Sequence, residues 1–76
     1  MREYLKNLRE ANGMTMQSVA DRIGVSKQYY QMIESGERQK KMDITLVTAL
    51  STIFSISIEQ IVREEQALGI DQTTNA

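Results

Sequence analysis

The chain has 76 residues and a formal net charge of −1, which is enough for one small domain with a single core. It contains no cysteine and no histidine, so disulfides, thiolate or imidazole metal sites and histidine- or cysteine-based catalysis are excluded. Residues 1–41 carry eight Lys or Arg against five acids, whereas residues 42–76 carry one base against five acids, a distribution that indicates either two solvated faces or a polyanion-binding N-terminal half.

The start of the chain indicates a cytoplasmic protein. Charged residues interrupt the apolar ones throughout Met1–Lys6, so the uncharged stretch of a secretory signal is missing. The longest uncharged segment, residues 44–58, contains six Ser or Thr and is too short and too polar to cross a bilayer. We therefore expect no membrane partner.

Apolar residues recur with a helical period from the N-terminus onwards. A first helix, ending near Asn12-Gly13, is predicted because one face collects Met1, Tyr4, Leu5, Leu8 and Ala11. Thr15 is a suitable N-cap for a second helix, in which Met14 and Val19 can form a hydrophobic staple. This helix is expected to end at Gly24.

The same start signal, an apolar residue followed by Ser or Asp, returns three times. It stands at Val25-Ser26, Met42-Asp43 and Ile56-Ser57, the last with Gln60 as the partner of a capping box. It predicts a third helix over about 27–35 that stops at Gly36, a fourth over about 44–54, and a fifth over about 58–68 that stops at Gly69. No strand pattern competes, so we predict an all-α domain at residues 1–68 and a flexible tail at 69–76.

The connection between the second and third helices is the most specific signal in the chain. Only Gly24, Val25 and Ser26 join them, which is typical of the steep crossing in a helix-turn-helix. Ala20 is small where the helices would cross, and glycine at position 24 permits a positive φ. The core positions of this unit are expected at Val19, Ala20, Ile23, Val25, Tyr30 and Ile33.

The stretch from Leu8 to about Val62 resembles the lambda-repressor-like, Cro/CI-type (Xre) helix-turn-helix family. The matching residues are Arg9-Glu10-x-x-Gly13, Val19-Ala20-x-x-Ile23-Gly24-Val25-Ser26, Ile33-Glu34-Ser35-Gly36-x-Arg38 and Ser55-Ile56-Ser57-Ile58. The resemblance implies a five-helix lambda-repressor-like domain, an ion pair between Arg9 and Glu34, and a third helix that enters the DNA major groove. Tyr30 departs from the family, in which an aliphatic residue is typical.

One face of the third helix is available to read DNA. The helical repeat places Gln28, Gln31, Met32 and Ser35 on it, opposite Tyr29, Tyr30 and Ile33. Gln28 is the first candidate base reader because glutamine can bond adenine N6 and N7 together. Lys27 can reach guanine or a phosphate, Met32 a thymine methyl, and Gln31 lies nearer the edge of the face. The alternative is a face that is merely solvated.

Candidate phosphate contacts flank this helix, where they set its register without reading sequence. The loop after it carries Arg38, Lys40 and Lys41. The N–H groups that open the second helix can also hold a phosphate, and the remaining candidates are Thr15, Gln17, Ser26 and Ser35. A charged loop can also be simply solvated.

A unit of this size contacts few bases, so we expect a homodimer on two half-sites about 34 Å apart. On the fifth helix the core is expected to take Ile58, Ile61 and Val62. That leaves Leu68 and Ile70 for the dimer interface. The outer face of the fourth helix is uncharged and would also suit an interface; it carries Thr45, Thr48, Ser51 and Thr52.

The predicted function is a sequence-specific double-stranded DNA-binding regulator, a repressor or controller on a palindromic operator, with no cofactor, metal or small-molecule ligand. The sequence pI of about 5.3 and the neutral recognition face keep an alternative open, a protein-binding module such as an antitoxin or anti-repressor. A steep salt dependence would favour DNA. An enzyme is not expected, because Glu64-Glu65, predicted on a solvent-facing helix end, is the only carboxylate cluster.

Overall fold

The computed structural model describes residues 1–39 and 42–68, which form five α-helices and no strand. The helices are α1 (Glu3–Ala11), α2 (Met16–Ile23), α3 (Lys27–Ser35), α4 (Ile44–Phe54) and α5 (Ile58–Leu68). The predicted all-α, five-helix fold and its helix bounds are confirmed. The predicted tail at 69–76 lies outside the described residues. Within the described ranges no single helix is long and apolar enough to span a membrane, and α4 and α5 meet that test only as a pair bent by 116°.

Short-range capping accounts for the agreement in helix bounds. At Thr15, Ser26, Asp43 and Ser57 a side-chain oxygen accepts the backbone N–H three residues further on, at 2.8–3.1 Å. Each such cap contributes about 1 kcal/mol. At the other end, α2 and α3 stop at glycines in the left-handed region, Gly24 with φ 89° and Gly36 with φ 88°.

A single apolar core joins the five helices. Its least exposed side chains are Leu5, Val19, Ala20, Tyr30, Ile33, Leu50 and Ile61, so every helix contributes at least one. Of the six core positions predicted for the helix-turn-helix unit, four are buried, whereas Ile23 and Val25 are only partly buried. The helix-turn-helix is therefore built into the core.

The structure corrects the expected burial on α5. Ile61 is buried as predicted, but the assignment of Ile58 and Val62 to the core is wrong, because they are 39% and 40% exposed. The helix is rotated so that Ile61 lies in the core and Glu65, one turn further on, faces the N-terminal segment. Glu65 accepts hydrogen bonds there from Arg2 at 2.8 Å and from Tyr4. The expectation that Glu64-Glu65 faces solvent is wrong for the same reason, since both residues are half-buried.

Two buried tyrosines differ in what their hydroxyl groups contact. Tyr4 donates to Glu65, whereas the Tyr30 hydroxyl lies near the Arg9–Glu34 pair but makes no hydrogen bond of normal geometry to the residues that the structure describes. Burial raises the pKa of both phenols above the usual value. Both hydroxyls are therefore neutral at physiological pH, and only that of Tyr4 is within hydrogen-bonding geometry of a partner in the described chain.

We expect Tyr30→Phe to raise the free energy of unfolding by about 1 kcal/mol, because it removes a buried polar group that lacks a partner. Tyr4→Phe is the matched control and is expected to lower the same free energy by about 2 kcal/mol, since it removes a hydrogen bond to a carboxylate. Urea denaturation of the three proteins measures both changes. A Tyr30→Phe protein less stable than the parent would show that the hydroxyl has a stabilising contact.

Candidate nucleic-acid interface

The candidate interface is formed by α3, which follows a tight turn and crosses α2. The backbone N–H groups of Gly24 and Val25 both donate to the carbonyl of Ala20, at 2.8 and 3.0 Å. This pairing needs the left-handed conformation of Gly24, which glycine adopts without strain. Ala20 is fully buried, and its small side chain lets α3 approach α2 closely.

A buried ion pair fixes the inner side of α3 to α1. Arg9 Nε donates to Glu34 Oε2 at 2.7 Å, and the two side chains are 11% and 1% exposed. The hydrogen bond to Glu34 raises the pKa of Arg9, so the guanidinium stays charged. Arg9 Nη1 also donates to the carbonyl of Met14 at 3.3 Å. One guanidinium therefore holds α3 and the turn that leads into α2.

The outer side of α3 carries the predicted base readers. Lys27, Gln28 and Gln31 are exposed, and none of their side chains hydrogen-bonds to another residue within 1–39 or 42–68. Met32 is half-buried. The exposed face thus offers one ammonium and two amide groups, and its donors and acceptors are not used by the described part of the fold.

The predicted phosphate contacts lie on both sides of this face and differ in availability. Thr15, Gln17, Ser26 and Arg38 are exposed. The Thr15 and Ser26 oxygens cap α2 and α3, and each hydroxyl can still donate its proton. Ser35 is half-buried and its hydroxyl donates to the carbonyl of Met32 at 3.0 Å. Lys40 and Lys41 lie outside the described residues.

Arg2 belongs to this region, although no pattern in the sequence indicates it. The residue is 4% exposed, and its guanidinium donates to three carbonyls, those of Ile33 at 2.6 Å, Arg38 at 3.1 Å and Gln39. On its other edge Nε and Nη2 donate to the two oxygens of Glu65, at 2.8 and 3.1 Å. These partners are 31 to 63 residues away in sequence, and no local signal predicts such pairings.

Internal pairing reduces the positive charge that is available at the surface. Arg2 and Arg9 are neutralised by Glu65 and Glu34, which removes two of the eight bases counted in the N-terminal half. In the described part of that half, the exposed cations are Arg22, Lys27 and Arg38.

Residues 1–39 and 42–68 contain no group of three or more acidic side chains that could hold a metal ion.

Comparison with known proteins identifies the same region. A family model described as helix-turn-helix, of Cro/CI type, matches residues 5–61, three quarters of the chain. The five helices fit the lambda-repressor-like fold of that family. No curated protein and no solved structure matches the chain significantly. The matched residues include the Arg9–Glu34 pair and all of α3, whereas Arg2 and Glu65 lie outside them.

Proposed function

The chain belongs to the Cro/CI-type helix-turn-helix family of DNA-binding regulators, and on that premise we propose that it acts in the cytoplasm as a homodimeric repressor on a palindromic operator. The outward face of α3 carries the proposal. Its exposed Lys27, Gln28 and Gln31 lie in the N-terminal part of the helix, the part that contacts base edges in helix-turn-helix complexes. The family is regulatory rather than enzymatic.

Base recognition is assigned to the exposed face by the chemistry of its side chains. Gln28 bonds N6 and N7 of one adenine, an interaction worth about 1–3 kcal/mol of discrimination. Lys27 reaches the O6 and N7 acceptors of guanine or a phosphate, and Gln31 contacts the edge of the same site. Met32, half-buried beside them, lies against a thymine methyl. Each half-site is then read over a few base pairs.

Phosphate contacts on both sides of α3 fix its register in the groove. Arg38 supplies a charge on the loop side, and Lys40 and Lys41 extend this loop. Thr15 and Ser26 supply neutral donors at the starts of α2 and α3, where the free N–H groups also favour an anion. Gln17 contributes less, because its side-chain amide already donates to Asp21 at 2.8 Å. Ser35 contributes less, because its proton is donated to the carbonyl of Met32.

The dimer represses by occluding polymerase at a promoter.

The dimer surface is proposed on α5. Ile58 and Val62 are exposed and one turn apart, and the exposed Glu59 and Arg63 flank them. Around a two-fold axis, residue i of one protomer meets residue j of the other and the reverse, so Glu59 of each protomer can face Arg63 of its partner. This arrangement surrounds an apolar stripe with two complementary charge pairs. Leu68, 53% exposed, is a further apolar position at the end of α5, about a third of a turn around the helix from Val62, and Ile70 lies outside the described residues.

The outer face of α4 is less suited to this association. The hydroxyls of Thr48 and Thr52 donate to the carbonyls of Ile44 and Thr48 within their own helix, at 2.7 and 3.1 Å. Ser51 donates to the carbonyl of Ile56 at 2.5 Å. Because these hydroxyls are satisfied within the chain, they gain little from a partner. Ile44, one turn before Thr48, is 69% exposed, so this face is the alternative dimer surface.

The proposed function is tested by selecting bound duplexes from a randomised pool at two salt concentrations. We expect a palindrome with half-site centres about 10 base pairs apart, and weaker recovery at higher salt because phosphate binding releases counterions. In the same selection, Gln28→Ala should lose its preference at one base pair per half-site, and an unchanged preference would reject Gln28 as a reader. Recovery of no sequence, with binding that is insensitive to salt, would instead favour a protein-binding module such as an antitoxin.

A further inference from the structure

We propose that Arg2 is a positioning residue for DNA binding, which holds the loop at residues 36–39 so that Arg38 meets a phosphate. The inference rests on the proposed function, since it assumes that Arg38 contacts the DNA backbone. Arg2 cannot reach the DNA itself, because its side chain is 5% exposed and directed at protein carbonyls. Any effect that it has on DNA binding therefore passes through the loop.

The first support is the geometry around Arg2. The carbonyls of Ile33, Arg38 and Gln39 converge on one guanidinium, and the backbone N–H of Arg2 donates to the carbonyl of Glu34 at 2.7 Å. The last turn of α3 and the loop after it are thus held by the same residue. A guanidinium suits this place because its donors lie in a fixed plane, whereas an ammonium is a single point charge.

The second support is the strained backbone that Arg2 contacts in the loop. Gln39 has φ 55°, a left-handed conformation that costs a residue other than glycine about 1 kcal/mol. Its carbonyl is held by Arg2, and its side-chain amide donates to the Tyr29 hydroxyl at 3.0 Å. The strained residue follows Arg38, whose N–H donates to the Met32 carbonyl at 3.1 Å, so Arg38 lies between the end of α3 and the two carbonyls that Arg2 binds.

The third support is Glu65, which binds the Arg2 guanidinium from α5. Glu65 on α5 accepts from both Nε and Nη2 of the guanidinium and also from the Tyr4 hydroxyl. Its side chain is only 19% exposed, so the charge of each partner stabilises the other. Arg2 and Glu65 both lie outside the residues that the family model matches. The two ends of the described chain therefore support a loop that belongs to the family domain.

The test is a double-mutant cycle between Arg2→Gln and Arg38→Ala, with duplex affinity measured across a salt series at a temperature where circular dichroism shows every variant folded. We expect each single variant to weaken binding to operator and unrelated duplexes alike, by about threefold for each phosphate interaction that it abolishes, and to make the salt slope shallower by ~1 for each such interaction. The double variant should bind no more weakly than Arg2→Gln alone, because both substitutions abolish the same interaction of Arg38 with a phosphate.

Two further variants separate positioning from charge and folding. Lys6→Gln removes one cation from α1, where Lys6 is only half-buried, and should leave the salt slope unchanged. Arg2→Lys keeps a cation beside Glu65 but cannot hold three carbonyls, so it should weaken binding as Arg2→Gln does; it replaces that variant if Arg2→Gln does not fold. Additive effects of Arg2 and Arg38, or full binding by Arg2→Lys, would overturn the inference while the parent still binds DNA. A parent that binds no duplex would overturn the proposed function itself.

Discussion

Val62→Asp is expected to lower operator affinity by roughly 100-fold or more without disturbing the fold. Val62 is 40% exposed, so the new carboxylate remains solvated in the monomer. In the proposed dimer the two carboxylates would be buried near the two-fold axis, facing an apolar surface. Without the dimer each half-site is bound separately, and linking two sites multiplies affinity by about 10²–10⁴.

Sedimentation equilibrium and titrations with full-operator and half-site duplexes measure this effect. Half-site affinity should be unchanged, because α3 is unaffected. Ala67→Asp is the matched control, since it places the same charge at an exposed position on another side of α5 and should leave the dimer intact. A Val62→Asp protein that still forms dimers and binds the full operator normally would place the interface elsewhere, with the outer face of α4 as the next surface to test.

Arg9→Met is expected to lower the free energy of unfolding by about 3–5 kcal/mol, most of the stability of a domain this small. The substitution leaves the Glu34 carboxylate, 1% exposed, without its cation in the core. Arg9→Met combined with Glu34→Leu should recover much of that stability, because the second change removes the uncompensated charge. Urea denaturation of the parent and both variants gives the comparison.

The exposed ion pair on α5 provides the control for this comparison. Arg63 and Glu59 are 3.7 Å apart with side chains 71% and 75% exposed, so water already screens the pair. Compared in the Val62→Asp background, in which the proposed dimer does not form, Arg63→Met should therefore lower the free energy of unfolding by less than about 0.5 kcal/mol. If Arg9→Met cost no more than Arg63→Met, the buried pair could not be what holds α3 against α1.

The helices were predictable from the sequence because their signals are local. Thr15, Ser26 and Asp43 cap N–H groups three residues away, and Gly24 and Gly36 end helices at their own positions. Periodicity also placed Gln28 and Gln31 on the exposed side of α3, whereas Met32 and Ser35, predicted on the same face, are half-buried. Each of these signals involves residues only a few positions apart, so a short segment of sequence is enough to recognise it.

The rotation of α5 could not be predicted in this way. Its apolar residues Ile58, Ile61 and Val62 occupy neighbouring positions, and hydropathy alone assigns all three to the core. The structure buries only Ile61 of the three, because Glu65 turns inward to meet Arg2, 63 residues away. Two opposite charges that pair across 63 residues produce no periodic pattern in the sequence. For the same reason, sequence patterns do not assign Arg2 to the interface.

The exposed face of α3 also affects how such a protein can diverge. Lys27, Gln28 and Gln31 make no side-chain hydrogen bond to the described part of the chain, whereas stability resides in the core and in the Arg9–Glu34 pair. Under the proposed function, in which these three residues read the operator, exchanging them changes which sequence is recognised at little cost in folding. A duplicated copy could move to a new operator through a series of folded intermediates, and a library randomised at these three positions should consist largely of folded proteins.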